Sequence, residues 1–452
     1  MSLEKAIDMA LAYSPTLAQA QDRRDQADQA KRESITYFLP SFSTGYNYQR
    51  QQSSPTISTP FGDFSTVDKN TYVWNTRVEQ PVFTGFRILS NYRLAALGVD
   101  VAEANIITSL LDVVLSVKEA YFDHLSALKG LDVAQQSVKL LESQLKTSKD
   151  FHEVGILPIN DVLKVEVELA NSQQALVSAE NRVSLTLSTL DRVMGLDVNY
   201  DLKIVDILKY TPVDLTLERA LNTARTTRPE LKAISLQLDQ ADQQIKAAQS
   251  DYYPQIGVQG DYDFQGDSPD LGGSDTLDAS NWSVSAQVRW NFWQWGRTRS
   301  QVGQRRAAKM QLTEAQRDLQ DQIDLQVKQA YLYLRDAEKN IGTSQTAIRS
   351  AEENYRITGE RYREQLTTNT ELLDAQTLLT QSRNNYLTTL SVYNVALARL
   401  RRAMGQGIPA GASPTPGAQA TPTAAAPRVT PVAAMTPASP AAPATPAATA
   451  GR

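Results

Sequence analysis

The chain contains no cysteine and only two histidines, His124 and His152, among its 452 residues. Disulfide scaffolds, cysteine nucleophiles, iron–sulfur clusters and zinc fingers are therefore excluded, and no metal site or cofactor is expected. No uncharged apolar run reaches the ~18 residues of a transmembrane helix. A net charge of −5 provides no basic field for nucleic acid. On these averages alone, the chain resembles a soluble, helical and mildly acidic protein.

Catalytic motifs and a targeting signal are missing as well. The sequence has no glycine-rich phosphate loop, no serine nucleophile elbow and no cluster with metal-ligand spacing. We therefore expect that the protein is not an enzyme. The first residues lack the basic-then-apolar pattern of a secretory signal. The chain is accordingly expected to be either cytosolic or a mature or truncated form.

The chain does contain a duplication. Leu3-Glu-Lys-Ala-Ile aligns with Leu217-Glu-Arg-Ala-Leu at an offset of 214, and Met194-Gly195 aligns with Met404-Gly405 at an offset of 210. Such anchors indicate two tandem copies of one unit of about 200 residues. We predict a first repeat at 1–195, a linker at 196–215 and a second repeat at 216–405.

Proline is distributed unevenly. Ten of the 20 prolines lie between Pro409 and Pro446, and none lies between Pro269 and Pro409. Residues 406–452 are rich in proline, alanine and threonine and carry two charges, Arg428 and Arg452. Because such a segment cannot bury a core, it is predicted to be a disordered tail with polyproline II character.

Each repeat contains two segments in which apolar and polar residues strictly alternate. In one of them Ile256, Val258 and Tyr262 alternate with Gly257, Gln259 and other small or polar residues. Period-two alternation predicts strands with one apolar and one polar face. The four predicted strands are at about 40–50, 71–83, 254–265 and 281–293, and polar loops join them into two hairpins.

A long helical hairpin follows each pair of strands, at about 86–194 and 297–404. No proline occurs from Phe86 to Phe151, and at 1.5 Å per residue that helix could run ~100 Å. Short breaks follow at 154–158 and 365–369. Much of the helix surface is rich in glutamine, serine, asparagine and arginine, which indicates contact with water.

Aromatic residues cluster toward the ends of the predicted strands. They are Tyr46, Tyr48, Tyr72, Trp74, Tyr262, Phe264, Trp282, Trp290 and Phe292. Strands of about ten residues can cross an outer membrane, and this distribution is typical of its aromatic girdles. A soluble sandwich burying the same face is the alternative. Four strands leave two open edges, and since an open edge is not viable in a bilayer, a barrel would require an oligomer.

Several short motifs, in their order and spacing, resemble the TolC-type outer-membrane factor family. They are Tyr253-Pro254, Gln80-Pro-Val-Phe-Thr-Gly85, Gly155-Ile-Leu-Pro-Ile-Asn-Asp-Val162, Glu371-Leu-Leu-Asp-Ala375 and the two Met-Gly pairs. The resemblance covers about 1–408. It implies a mainly α fold with a transmembrane β part, in which a homotrimer forms a 12-stranded outer-membrane β-barrel. The long helical hairpins would continue that barrel as a periplasmic α-barrel.

The resemblance also implies a gate at the periplasmic tips of the helical hairpins. Glu371 and Asp374 match the acidic positions at the pore entrance, although first-turn acids that complement the helix dipole are the alternative from the residues alone. Asn160, Asp161 and Tyr362 match the gate contacts. Thr367 replaces the arginine that pairs with the equivalent of Asp161 in a prototype. That lock is therefore expected to be missing or rebuilt, with Arg361 or Arg363 nearby.

The implied partners are a periplasmic adaptor, an inner-membrane pump or ABC transporter, and outer-membrane lipid. The adaptor would dock on the hairpin tips, at Gly155, Ile156, Leu157, Pro158, Gln365 and Leu366. The implied function is a passive exit duct for drug efflux or type I secretion, located in the outer membrane with its α-barrel in the periplasm. The alternative is a soluble or peripheral coiled-coil scaffold protein.

Overall fold

A computed structural model describes residues 1–65, 68–197, 200, 202–274 and 278–408. The predicted tail, from residue 409 onward, lies outside the described residues. The first half of the chain forms, in order, α1 (Leu3–Tyr13), α2 (Pro15–Thr36), β1 (Ser41–Arg50), β2 (Thr56–Thr59), β3 (Gly62–Ser65), β4 (Asn70–Phe83), α3 (Arg87–Glu153) and α4 (Ile159–Val193).

Among its described residues, the second half repeats this order without the small β2–β3 hairpin. Its elements are α5 (Leu217–Thr227), α6 (Pro229–Gln249), a 3₁₀ turn (Ser250–Tyr252), β5 (Gln255–Gly266), β6 (Ser280–Arg289), α7 (Arg297–Arg363) and α8 (Asn369–Ala403). Pro15 and Pro229 occupy equivalent first helical positions, where the missing N–H has no intrahelical partner to lose. The repetition in sequence is thus a repetition in structure.

The two Met-Gly pairs end equivalent helices in the same way. Gly195 and Gly405 both have positive φ, 75° and 71°, and the following residue donates its N–H to the last turn of α4 or α8. A Cβ on Gly195 would lie 2.7 Å from the Tyr13 carbonyl oxygen, and one on Gly405 would lie 2.9 Å from Thr227. Only glycine combines this left-handed turn with the close approach of α1 or α5.

The long helices form one layer. Helix α3 packs against α2 and α4, and it also packs against α6 and α8 of the other repeat. Helix α7 packs chiefly against α8, α6 and α5. The order across the layer is therefore α2 and α4, then α3, then α6 and α8, then α7. The sheet has the same order of repeats, since β1 and β4 of the first repeat lie beside β5 and β6 of the second.

Each repeat has its own hydrophobic core where a short helix crosses the long ones. Ala6 and Ala10 of α1 pack with Val117 and Met194 in the first core. The second core is built from the residues at the equivalent positions, Ala220, Ala224, Val327 and Met404. Because alanine is small, the short helix approaches closely and excludes water from the apolar side chains of the long helices. Burial of each large apolar side chain stabilises the fold by about 1.5–3 kcal/mol.

The four long strands form one antiparallel sheet in the order β1-β4-β5-β6. All ten residues of β1 and all ten of β6 are exposed, whereas most residues of β4 and β5 are partly buried. Strand β6 ends at Arg289, short of the predicted 293, because Arg289 lies opposite Gln255, the first residue of its partner. The extra β2–β3 hairpin, within the loop that follows β1, was not predicted.

Helix α3 is the one helix of the described chain that is long and apolar enough to cross a membrane, with an 18-residue window of hydropathy 1.5. Length and composition alone are weak evidence, since helices that pack in a protein core pass the same test. Helix α3 has 19 buried residues, whereas α7, which is equally long, has ten. We attribute the difference to position, because α3 has helices on both sides and α7 lies at one edge of the layer.

Asp191 is a buried carboxylate near the end of α4. It is 0% exposed, and both of its carboxylate oxygens are without a hydrogen-bond partner. Burial raises the pKa of Asp191, and the nearby Asp197 carboxylate raises it further. The native state therefore holds this proton more tightly than the unfolded state does. Protonation of Asp191 therefore contributes fully to the free energy of unfolding at low pH, and this contribution is lost as the pH rises through the native pKa.

Asp191→Asn is accordingly expected to stabilise the protein at pH 8 by about 1–3 kcal/mol, since it removes an unpaired buried charge. The gain should vanish near pH 3, where the aspartate is protonated in both states. Thermal midpoints at the two pH values measure this difference. Asp8→Asn, on the exposed face of α1, is the matched control. An equal gain in stability for both variants would show that the gain does not come from the burial of Asp191.

Candidate functional site

The sheet has one apolar face, and it carries the predicted aromatic residues of β1, β4, β5 and β6. Tyr46 lies opposite Trp74, which in turn lies opposite Phe264, and the Trp74 and Phe264 rings stack with centroids 5.6 Å apart. Tyr48 and Tyr72 stack at 4.7 Å. In the next row, Tyr262 and Trp282 face each other across β5 and β6. These seven aromatic side chains form an upper belt near one end of the sheet.

A second, lower belt lies at the opposite end of the sheet, where the helices begin. Trp290 and Phe292 follow β6 and are exposed, as are Trp293 and Trp295. The Trp290 indole N–H donates to the Tyr252 carbonyl at 3.2 Å. Trp282 and Trp290 are eight residues apart, or about 26 Å along a strand. At a strand tilt of about 40° this distance spans about 20 Å along the membrane normal, comparable to the apolar band of an outer-membrane barrel, which is about 25 Å tall.

The opposite face of the sheet is polar, and two of its carboxylates accept hydrogen bonds across strands. Arg77 of β4 donates from Nε to Asp261 of β5 at 2.7 Å. Asn75 donates to Asp263 in the neighbouring pair. Sequence reasoning missed these contacts, although the polar positions of both strands were visible, because the β4–β5 pairing joins residues 184 apart.

The hairpin tips present small and apolar residues. In the α3–α4 turn, Gly155 adopts a positive φ of 77°, and Leu157 donates its N–H to the Phe151 carbonyl at 3.2 Å. In the α7–α8 turn, Gln365 takes the left-handed conformation and Leu366 closes the turn on Arg361. Among the exposed residues of the two tips are Val154, Gly155, Ile156, Pro158, Ile159, Gln365 and Leu366, beside the charged Glu153, Arg363 and Glu364, with Leu157 half-buried.

Tyr362 lies at the contact between α3 and α7 near the tips. It is 4% exposed, its hydroxyl lies 3.3 Å from the Ser148 hydroxyl, and its ring centroid is 5.9 Å from that of Phe151. Tyr362 therefore joins the two hairpins of one chain. In the part of the chain that the structure describes, no hydrogen bond joins it to Asp161.

Asp161 is paired with Lys164 in this chain, and neither Arg361 nor Arg363 bonds it. The Lys164 ammonium lies 3.0 Å from the Asp161 carboxylate and 3.3 Å from the Thr370 hydroxyl. Arg361 instead donates to the Leu366 carbonyl at 3.3 Å. In this structure Asp161 pairs with a lysine on its own helix, and the same ammonium reaches Thr370 of α8.

Asn369 was not among the predicted site residues, and it is a buried polar residue at the tips. It is 2% exposed. Its side-chain amide donates to the Asp161 carbonyl at 2.9 Å, and its side-chain oxygen accepts from Gln144 Nε2 at 2.8 Å. From sequence, an asparagine at this helix start indicates only a cap. Asn160, which was predicted as a gate contact, is exposed.

Glu371 and Asp374 lie on the exposed face of the first turns of α8. The Thr368 hydroxyl accepts the Glu371 backbone N–H at 3.3 Å, and the Thr367 hydroxyl donates to the Glu371 carboxylate. This arrangement resembles a capping box. Within the described chain neither carboxylate is in an ion pair, so both charges are available to a solvent-filled space.

Comparisons with known proteins agree with this geometry. The family model for outer membrane efflux proteins matches residues 6–196 and 220–406. The chain is 22% identical over 412 residues to the outer membrane protein TolC of Vibrio cholerae, covering 89% of this chain and 90% of that protein. It is 23% identical over 409 residues to the alkaline protease secretion protein AprF of Pseudomonas aeruginosa, covering 87% and 82%.

A solved structure shows the same fold. The outer membrane protein VceC of Vibrio cholerae superimposes with a TM-score of 0.76 at 16% identity, covering 90% of this chain and 96% of that chain. The predicted mainly helical fold with a four-stranded sheet is confirmed, as is the resemblance inferred from short motifs. Because the family model matches most of the chain, in two segments that follow the two halves of the fold, this chain belongs to the outer membrane efflux protein family.

Proposed function

We propose that three copies of the chain close into a ring, a passive exit duct through the outer membrane. Twelve strands form its β-barrel, and the long helices continue it as a tunnel in the periplasm. The observation that carries this proposal is that the chain makes one repeat-to-repeat interface and leaves its equivalent open.

The interface inside the chain joins the first repeat to the second. There β4 pairs with β5, and α3 packs against α6 and α8. By the internal repetition, the equivalent contacts would join β6 to β1 and α7 to α2 and α4. These are the elements at the two edges of the single chain. A second copy can supply them, so that repeats alternate around a ring without a free strand edge.

The repetition also gives the register of the missing strand pair. Arg77 lies opposite Asp261. At the offsets of 210 and 214, their equivalents are Gln287 of β6 and Asn47 of the next copy's β1. In the same register Trp290 lies opposite Thr44 of the next copy. Strand β6 would then extend past Arg289, which accounts for the alternation that the sequence shows as far as Phe292.

The chemistry of the two sheet faces supports this orientation. The aromatic belts would face lipid, and the Arg77–Asp261 side would line the aqueous lumen. The exposed apolar tips would dock a periplasmic adaptor protein, which would connect the duct to an inner-membrane pump or ABC transporter. The family description names efflux and the name of AprF names the secretion of a protease, which supports drug efflux or type I secretion as the process. A soluble scaffold would leave both aromatic belts and both sheet edges in water.

Disulfide cross-linking between introduced cysteines tests the ring. Because the chain has no native cysteine, only the introduced residues can form disulfides. The pair Asn47→Cys and Gln287→Cys is expected to form disulfides between copies on oxidation, giving covalent dimers and trimers from detergent-extracted outer membranes. Residues directly opposite in antiparallel strands have Cβ atoms about 4.5–5.5 Å apart.

The control pair is Asn47→Cys with Ser283→Cys, which lies on the same face but four residues away, or about 13 Å. It should not cross-link. A covalent ladder that continues beyond three chains would contradict the trimer, and a membrane-inserted protein that gives no interchain disulfide would contradict the ring.

A further inference from the structure

We infer that each chain carries, on the inner face of the tunnel, a binding groove for apolar organic cations that runs along α8 between α3 and α7. All of its residues belong to one chain, and only its place inside the tunnel rests on the proposed function. The groove has a volume of about 1140 Å³, which is large enough for a drug-sized molecule, since small-molecule sites occupy about 300–1,000 Å³. The small side chains of Ala120, Ala330 and Ala396 leave this space open.

Helix α8 has two opposite faces, and the groove is on the face that the short helices leave uncovered. Tyr393 belongs to the core that α5 covers, and its hydroxyl donates to the Thr211 carbonyl at 2.6 Å. Val395 lies two residues further, about half a turn around the helix, and it lines the groove. Because a tunnel needs a free inner surface, the covered face is the outside of the ring and the groove lines the inside.

The middle of the groove is apolar where the first repeat has an ion pair. In the first repeat, Asp123 and Arg182 are 2.9 Å apart. The repeat offset of 210 places Tyr333 and Val392 at these positions, and both line the groove. Val392 is 51% exposed, although α8 packs against α3 and α7 within the chain. Its apolar surface is therefore available to a ligand in the tunnel.

Tyr333 also faces the tunnel in the ring. It lies on α7, at the edge of the single chain, but its equivalent Asp123 lies on α3, which packs against both α4 and α8. Even between these two helices the Asp123 side chain is 52% exposed. The ring gives α7 the same two neighbours, because α4 of the next copy takes the second place. The Tyr333 ring therefore stays in contact with the water of the tunnel.

Tyr333 and Asp336 together favour a cation. They are three residues apart on α7 and share one face of the helix. The Asp336 carboxylate accepts from the Asn340 amide at 3.4 Å, and it has no ion pair within the described residues. An aromatic ring attracts a cation to its face, and the carboxylate adds charge attraction. A ligand with a positive charge on an apolar body satisfies both groups and also buries Val392.

The arginines that line the groove do not reverse this preference. Arg399 is in an ion pair at 2.6 Å. Arg402 and Arg228 share the Glu230 carboxylate, at 2.9 Å and 3.5 Å. Arg192 has no ion pair among the residues described, but it belongs to α4, on the far side of α3 from α8. The unpaired charge beside the apolar middle of the groove is therefore negative.

Tetraphenylphosphonium and tetraphenylborate test the charge preference, because these two ions have nearly the same shape and opposite charges. Equilibrium dialysis of the detergent-extracted protein, with empty micelles as the blank, measures the binding of each ion. We expect one tetraphenylphosphonium site per chain, with an affinity about tenfold higher than that for tetraphenylborate. Equal affinities for the two ions would overturn the assignment of the groove to cations.

A second test replaces the apolar middle of the groove by the ion pair of the first repeat. Tyr333→Asp with Val392→Arg installs the side chains that Asp123 and Arg182 have at the equivalent positions, so this packing accommodates them. The variant keeps the net charge of the chain, because it adds one carboxylate and one guanidinium. It is expected to weaken tetraphenylphosphonium binding about tenfold. Wild-type affinity in this variant would place the ion elsewhere and overturn the groove.

A third test removes the unpaired carboxylate. Asp336→Asn is expected to weaken tetraphenylphosphonium binding about threefold, as for one solvent-exposed charge interaction. Asp318→Asn is the matched control, because Asp318 is exposed on the same helix, about 27 Å along its axis. Asp318 likewise accepts from an amide four residues on, that of Gln322 at 2.7 Å. An equal loss for both variants would show that the ion responds only to overall charge, against the role of Asp336.

Failure of the groove can be told apart from failure of the duct. The disulfides of the Asn47 and Gln287 cysteine pair report on the ring, whereas dialysis reports on residues of a single chain. If the disulfides form and the variant of Tyr333 and Val392 binds the cation as the wild type does, the duct exists without this site. If no disulfide forms and binding still depends on Tyr333, the groove exists and the proposed duct is wrong.

Discussion

Charge-neutral replacement of Glu371 and Asp374 is expected to bring the ratio of cation to anion permeability of the channel close to one. In a trimer these two positions supply six carboxylates at the entrance, and a ring of acidic side chains attracts cations and repels anions at close range. Neither carboxylate is in an ion pair within the described chain, so none of this charge is already neutralised there.

The substitutions Glu371→Gln and Asp374→Asn separate charge from helix capping. Glutamine can still accept the Thr367 hydroxyl that Glu371 accepts now, so α8 should begin at the same residue. Reversal potentials in asymmetric potassium chloride measure the selectivity. The effect should weaken at high salt, because the Debye length falls from about 10 Å at 0.1 M to about 3 Å at 1 M.

The matched control removes two carboxylates from the first two turns of another helix. Glu4 and Asp8 are exposed on α1, and Glu4 is that helix's first-turn acid. Glu4→Gln with Asp8→Asn changes the net charge of the chain equally, but at a distance from the tips. If the control alters selectivity as much as the tip variant does, then Glu371 and Asp374 act only as ordinary first-turn acids.

Loss of Glu230 is expected to destabilise the protein by about 2–3 kcal/mol, because it breaks a partly buried ionic network. Arg402 lies 2.9 Å from Glu230 and 2.6 Å from Asp112, and Arg228 lies 3.5 Å from Glu230. The Arg228 side chain is 4% exposed, and it also donates to Gln326. Burial lowers the pKa of the Arg228 guanidinium, and Glu230 opposes that shift.

Glu230→Ala would leave two arginines close together without their shared carboxylate. Thermal midpoints of the detergent-extracted protein measure the loss, with Glu218→Ala in the exposed first turn of α5 as control. The double variant Arg228→Met and Glu230→Gln should lose less than Glu230→Ala alone, since it removes the stranded charge as well. The first repeat carries Ser14 and Thr16 at these positions. An unchanged midpoint for Glu230→Ala would show that the network contributes nothing.

Regular elements could be predicted closely from the sequence because each has a local signal. The first strand was expected at 40–50 and spans Ser41–Arg50, and the second long helix starts at Arg297 as expected. Alternation of apolar and polar residues fixes a strand, and a proline-free run of 3.6 periodicity fixes a helix. The internal repeat then gave a second, independent prediction of each element.

Contacts between distant residues could not be predicted in the same way. Asn369 with Gln144, Lys164 with Thr370, and Arg402 with Asp112 join positions hundreds of residues apart or on different hairpins. No period or motif marks them, because their partners are set by how the helices pack. The contact of Lys164 with Thr370, which joins α4 to α8, could not be predicted for this reason.

The exposed edges of the sheet have a genetic consequence. In the proposed ring every seam is head-to-tail, with β6 of one copy against β1 of the next. A subunit with a defective β6 would still offer an intact β1, so it could join a wild-type neighbour and then leave the ring unable to close. In a cell that makes equal amounts of both forms, only about one ring in eight would be wholly wild type. Alleles that damage a single edge should therefore be dominant.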